Sequence, residues 1–354
     1  MPVQEARFRI LSVDGGGVRG LVPALVLVEL EQRLEALTGH RRPLSDYFHL
    51  FAGTSTGGLI SLGLTARRPD DRDLPSMDGE RLVSLYRDRG PKIFPPRFRL
   101  IRKLRGFVIP KFSNRALRRA VEEDIGTAPL STALRDLVIT AYDMTDHHPR
   151  FFKRWTAGQG GRPDPTMAEA AIATASAPTY LPPWEVDGKA LVDGGVFAAN
   201  PTIAAVAEAL KRQTDEPTRL VPHELFVVSL GTGFYKAKYA PRRLRGWGAL
   251  AWIWPRGSEP ALMRAMLDGQ TASADQWAHM ILNHQPGDAP PTRADVGHGP
   301  RYFRLESELA TDFEMDDARR KTLEGLSEAA SKLIEERGND LQVIAERLAA
   351  AGPV

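Results

Sequence analysis

A serine held between two glycines is the strongest chemical signal in the chain. Gly53-Thr54-Ser55-Thr56-Gly57 follows a short apolar run, His49 to Ala52, and precedes a helical pattern, Gly58 to Ala66. A nucleophilic hydroxyl must stand proud of a sharp strand-to-helix turn, and Gly53 and Gly57 give that turn its room. The alternative is a glycine-rich turn with no chemistry. Serine is a poor nucleophile near neutral pH and needs a base. Val192-Asp193-Gly194-Gly195 offers one after a short apolar strand, with space beside the carboxylate at Gly194 and Gly195. A free aspartate, with a pKa of ~3.9, is a weak base unless burial raises it. The alternative here is an ordinary Asp-Gly turn.

A third turn, Asp14-Gly15-Gly16-Gly17-Val18-Arg19-Gly20, lies between a strand and a helix. Amides at such a junction lack helical partners and form an anion-binding nest. The spacing Gly15-x-Gly17-x-x-Gly20 also fits a dinucleotide fingerprint, so a nucleotide-binding module stays open as a different class. That fingerprint wants an acidic residue at the end of the next strand. Glu31 and Glu35 fall inside the expected helix instead, and the Gly-Lys-Ser or Gly-Lys-Thr ending of a phosphate loop is absent. A serine–aspartate–histidine order could use His223, His279, His284 or His298, yet none lies in a glycine-bounded turn after a strand. His147-His148 beside Pro149 reads as a solvated turn. No histidine or carboxylate cluster suggests a metal, and no cofactor is expected.

These turns need strands and helices to hold them. Arg7 to Val13 reads as a buried strand, and Leu21 to Leu37 as a helix closed by Thr38-Gly39. Apolar runs recur at Leu137 to Ala141, Ala190 to Val192 and Glu224 to Leu230, with helical stretches at Met167 to Ala175 and Thr202 to Arg212. Strands alternating with helices imply an α/β architecture with a largely parallel sheet. From about Asp316 the pattern is two helices parted by Gly338-Asn339-Asp340. Two segments differ. Arg89 to Val121 holds eleven Lys or Arg and no acid, interleaved with Phe94, Phe98, Phe107 and Phe112. Phe234 to Pro255 holds five basic residues and no acid, with Trp247, Trp252 and Trp254. Both read as cap-like insertions over the core.

The composition sets outer limits. The chain has 354 residues, 42% of them hydrophobic and 26% charged, with a net charge of +3. That is ordinary for a globular protein with a sizeable core. With no cysteine, a disulfide scaffold, a thiolate metal site and a cysteine nucleophile are excluded. Leu21 to Val28, the longest near-apolar stretch, is interrupted by Pro23 and too short to span a bilayer. Met1 to Arg7 shows no secretory pattern, so the expectation is a soluble, cytoplasmic protein.

The three turns, in this order, resemble those of the patatin-like phospholipases, lipid acyl hydrolases that use a Ser–Asp dyad. Asp14 to Gly20 is similar to the family's oxyanion motif, Gly53 to Gly57 to its nucleophile elbow, and Asp193 to Gly195 to its base motif. Supporting similarity lies in Ala173 to Pro178, Asn200-Pro201 and Ser229 to Gly233, so it runs from about Arg7 through Gly233. It weakens toward Met315 to Ala318, and the basic and Trp-rich segments align least.

The resemblance implies a three-layer patatin-like fold in one domain over residues 1–354, with a mostly parallel central sheet. It implies Ser55 as nucleophile and Asp193 as base. Gly15, Gly16 and Gly17 form the oxyanion loop, and Arg19 orients or charges it. The implied substrate is a phospholipid at a membrane surface, with smaller acyl esters or thioesters as the alternative. Some bacterial members are effectors switched on by cyclic nucleotides, so a small anionic activator stays open. Basic residues beside aromatic rings also suit an anionic membrane, with the protein peripheral to it. Nucleic acid is not expected, because no recognised module accompanies the charge.

Overall fold

The apolar runs become the inner strands of one sheet. The computed structural model describes residues 6–95, 109–212, 219–237, 239–253, 260–283 and 300–354. Eight strands form among them: β1 (Phe8–Val13), β2 (Leu50–Gly53), β3 (Asp136–Asp143), β4 (His148–Lys153), β5 (Trp184–Val186), β6 (Lys189–Asp193), β7 (Leu225–Leu230) and β8 (Tyr302–Leu305). Their order is β5-β6-β3-β2-β1-β7-β8, with β4 also on β3. The five strands from β3 to β8 run parallel, while β4, β5 and β6 pair antiparallel.

The period of two splits each inner strand between two cores. Leu11 and Val13 of β1, Phe51 of β2, and Phe226, Val228 and Leu230 of β7 enter one cluster. Phe8, Ile10, Leu50, Ala52, Leu225 and Val227 enter the other. The first cluster is covered by α1 (Leu21–Thr38), α2 (Thr56–Gly63), α3 (Asn114–Asp124) and α4 (Met167–Ala175). The second is covered by α5 (Thr202–Arg212) and, through Ala278 and Leu282, by α6 (Ala261–Asn283). Two further helices, α7 (Arg320–Glu336) and α8 (Gly338–Ala351), pack on α1 in the first layer. The architecture is therefore three-layered, with helices on both faces of a mostly parallel sheet.

Local signals explain several boundaries. Gly39 ends α1 in the left-handed conformation, φ 71°, and returns its N–H to the Glu35 carbonyl. Thr166 and Glu169 form a reciprocal capping box at the start of α4. Gly338 opens α8 and the break falls at Arg337, not within Gly338-Asn339-Asp340.

The basic segment departs from expectation. Ile93, Leu117, Ala120 and Val121 are buried in the first core, so both ends of Arg89–Val121 belong to the core instead of lying over it. The basic residues of α3 face outward on an amphipathic helix, where Arg118 and Arg119 meet Glu122 and Glu123 one turn on. Phe98 and Phe107 lie outside the described residues. In the Trp-rich segment, two short helices, Pro241–Leu244 and Ala249–Ile253, sit at the surface. Trp254 lies outside the described residues. No described helix is long and apolar enough to cross a membrane.

Candidate active site

Ser55 stands at the junction of β2 and α2 with φ 54° and ψ −121°. A non-glycine residue there is strained, at a cost of about 1–3 kcal/mol, and persists only where its surroundings over-determine it. They do so here: the Ser55 N–H donates to Thr174 Oγ1 at 2.9 Å. Gly57 lies so close to the Val13 carbonyl that a Cβ could not fit. The hydroxyl is thereby held out from the end of the sheet.

Asp193 ends β6 and is 5% exposed. Its carboxylate accepts the Gly195 N–H at 2.7 Å, and Ser55 lines the same cavity as Asp193. Burial pushes its pKa up to about 6, against the pull of the Ser55 and Gly195 donors. A carboxylate so raised is matched to taking a proton near neutral pH. Two chain reversals far apart in sequence thus bring a hydroxyl and a buried carboxylate to one cavity.

The glycine loop lies against them, and a Cβ placed on Gly15 would be 3.4 Å from Ser55 Cβ. Its amides are not equivalent. Gly15 N–H donates to the Ala199 carbonyl at 2.9 Å and Val18 N–H to that of Met315 at 2.9 Å. Gly16 and Gly17 N–H meet no acceptor among the described residues. Gly17 has φ 60° and sits where a Cβ would strike the Met315 carbonyl. Arg19 turns back on the loop, its Nε donating to the Gly16 carbonyl at 3.3 Å. Thr232 Oγ1 donates to the Gly15 carbonyl at 2.7 Å and ties the loop to the chain after β7.

One partner escaped the sequence reading. Arg304 of β8 grips the Asp14 carboxylate with two nitrogens, and Glu306 flanks the pair at 2.9 Å. Burial pushes the Asp14 carboxyl up while Arg304 pulls it back. Arg304 also donates to Ser229 Oγ at 2.9 Å, which joins a buried set of hydroxyls with Thr202 and Ser12. A single arginine in the short strand Tyr-Phe-Arg-Leu carries no local signal for this role.

One cavity of about 1230 Å³ takes in the expected residues: Gly15, Gly16, Gly17, Arg19, Ser55, Asp193 and Gly195 all line it. Gly53, Gly57 and Gly194 sit behind its wall. No histidine is among the lining residues. His49 stacks on Phe8 at 4.9 Å, and burial first, then Arg9 and Arg135, push it down to about 4. His284 and His298 lie outside the described residues. Asp143, Asp146 and His148 bring ligand atoms together at the β3–β4 turn. That turn already uses the two carboxylates: Asp143 accepts the amides of Thr145 and Asp146, and Asp146 pairs with Lys189. The dinucleotide alternative lacks its acid, because β2 ends in Gly53, and Glu31 and Glu35 lie in α1.

A serine hydroxyl, a raised carboxylate and two open amides at the edge of an α/β sheet are the groups that acyl transfer requires. The family model described as patatin-like phospholipase matches residues 11–206. Patatin-like protein 1 of Arabidopsis thaliana is 31% identical over 354 residues, covering 93% of this chain and 81% of its own. Patatin-like protein 2 of the same plant is 35% identical over 277 residues, covering 72% of this chain and 67% of its own. Among solved structures, human GIVD cytosolic phospholipase A2 aligns with a TM-score of 0.43 and 11% identity, covering 98% of this chain and 60% of that one. This chain belongs to the patatin-like phospholipase family, and with it to the hydrolases of ester bonds.

Proposed function

We propose that the chain is a serine lipid acyl hydrolase of the phospholipase A type, cleaving fatty acyl esters of glycerophospholipids through Ser55 and Asp193. Ser55 Oγ attacks the ester carbonyl carbon as Asp193 takes its proton. The carbonyl oxygen becomes an oxyanion received by Gly16 and Gly17 N–H. Collapse breaks the bond to the glycerol oxygen, which takes the proton from Asp193 and leaves as the lysolipid alcohol. Water then attacks the acyl-serine, Asp193 takes one of its protons, and the fatty acid departs as that proton returns to Ser55. Gly15 contributes its carbonyl to the loop's anchoring, not its amide to the oxyanion, because that amide is already bonded to Ala199.

The observation that carries this reading is that Ser55 and the buried Asp193 line one large, mainly apolar cavity together with Gly16 and Gly17. Its volume of about 1230 Å³ exceeds the ~300–1,000 Å³ of ordinary small-ligand sites. That size favours long acyl chains over short esters.

Ser55→Ala tests the proposal. Hydrolysis of phospholipid vesicles and of a soluble ester should both fall by about 10⁴-fold or more, read by mass spectrometry of released fatty acid. Unchanged hydrolysis would remove Ser55 from the mechanism. A wild type that turns over the soluble ester but never phospholipid, with that turnover lost in Ser55→Ala, would favour the smaller-substrate alternative.

A further inference from the structure

The cavity opens through a rim unlike its floor. Tyr239, Ile253, Leu262 and Met266 each line the cavity and are also exposed to solvent, so they mark its mouth. Leu250 stands beside them on the short helix Ala249–Ile253, which packs against α6, and is 75% exposed. Leu262 and Met266 are four residues apart and share one face of α6. Trp247 packs edge-to-face between Tyr239 and Trp252, with ring centroids 5.5 and 5.3 Å apart. This aromatic stack joins the loop before the rim to the short helix. Contiguous exposed apolar side chains on a soluble chain mark a surface with a partner.

Charge selects the partner. Phe234 to Pro255 has five basic residues and no acid. Lys236 pairs with Glu308, whereas Arg242 and Arg245 are exposed and enter no ion pair among the described residues. Apolar side chains with aromatic rings behind them and free arginines alongside match an anionic bilayer surface.

We infer that the rim formed by Tyr239, Leu250, Ile253, Leu262 and Met266, with Arg242 and Arg245, docks the cavity mouth onto an anionic lipid bilayer. The inference rests on the lipid-hydrolase reading and adds the face that meets the substrate's own phase. A phospholipid drawn into an apolar cavity pressed against the membrane moves from one apolar medium to another. Extraction through water would expose each methylene at a free-energy cost. Insertion of the rim side chains removes that step, while the arginines select headgroups.

The test uses the full chain and two variants. One carries Leu250→Asp with Arg242→Glu and Arg245→Glu, none of which lines the cavity. The other carries Ile281→Asp, exposed on α6 but fifteen residues beyond Met266, about 22 Å along the helix. Sedimentation with phosphatidylglycerol-rich vesicles should show wild type and the Ile281 variant bound alike. The triple variant should bind about tenfold or more weakly, given the reversal of two arginines and the loss of an apolar anchor.

Vesicle hydrolysis should fall in parallel, while turnover of a soluble short-chain ester stays unchanged. Equal vesicle binding by the triple variant and wild type would overturn the inference. So would a wild type that is a dimer in solution and becomes a monomer in the triple variant, since the rim would then be a contact between copies. If vesicle binding depends on the rim but no lipid or ester is cleaved, docking stands and the hydrolase reading fails.

Discussion

At the floor of the cavity, and just behind it at Gly57, the glycines Gly16, Gly17 and Gly57 each have an atom of another segment where a Cβ would sit: Thr232, the Met315 carbonyl and the Val13 carbonyl. Along the rim, Gly246, Gly248 and Gly269 meet nothing within 4 Å of that position. The two regions border the same cavity under different constraints. Sterics and burial determine the floor residue by residue, so nearly every position there is intolerant. The rim is determined mainly by what it presents to solvent, so single changes leave the fold intact. On the proposed reading, reactivity depends on the first region and access to lipid on the second.

The sharpest way to break this contrast is Asp193→Asn. Turnover of a soluble ester should drop by about 10⁴-fold, and the remaining wild-type acid limb of kcat/KM should lie near pH 6, where Asp193 loses its base form. Near-normal turnover would place the base elsewhere and strip the floor of its role. Arg304→Met should be nearly as severe for the fold. It leaves Asp14 buried without its guanidinium and should cost about 3–5 kcal/mol in denaturant melts. Adding Asp14→Asn should return part of that loss, and strict additivity would show that the two do not act as a pair.

Gly17→Ala should lower kcat by about 10²–10³-fold, because the loop must shift to clear Met315 and so misplaces an oxyanion donor. A wild-type rate would mean the open amides are idle. Asp193→Asn also carries a smaller effect of opposite sign. Its folded pKa is raised from 3.8 to about 6, so the folded state prefers the proton. The stability this gives is full below about pH 4 and lost as pH rises through about 6. At about pH 8 the asparagine variant should therefore be more stable than wild type, by up to about 3 kcal/mol. At about pH 4 the gain should vanish in thermal melts. The smallest effect belongs to the rim, where Leu250→Asp should leave soluble-ester kinetics unchanged within about twofold, as for surface substitutions generally.

The same contrast explains what the sequence made legible. Turns at Gly53–Gly57 and Asp193–Gly195 advertise themselves because packing at Gly53, Gly57 and Gly194 leaves no room for a side chain beside Ser55 and Asp193. Helices Met167–Ala175 and Thr202–Arg212 have the boundaries their patterns indicate. The strands β1, β2, β3 and β7 are legible as apolar runs because both of their faces are buried.

The rest depends on distant partners. β8 is four residues long and contains an arginine, and only its placement beside β7 and Asp14 gives it meaning. β4 has an exposed, polar start at His148 and Pro149 and pairs only with β3. α6 spreads Leu262, Met266, Trp277 and Met280 onto exposed positions, which blurs the apolar stripe that signals a packed helix. The burial of Leu117 and Val121 within a basic stretch was likewise hidden, because composition averages over the two faces of α3.

The pairing of the parallel strands works as a ruler. Val13 lies opposite Gly53 on one side and Leu230 on the other, so β1, β2 and β7 finish on a common rung. A residue inserted in β1 would push the glycine loop about 3.3 Å past the serine and turn alternate side chains toward the opposite layer. Strand length in this part of the sheet therefore sets how the glycine loop meets Ser55, and the connections are where a change of length leaves that meeting undisturbed.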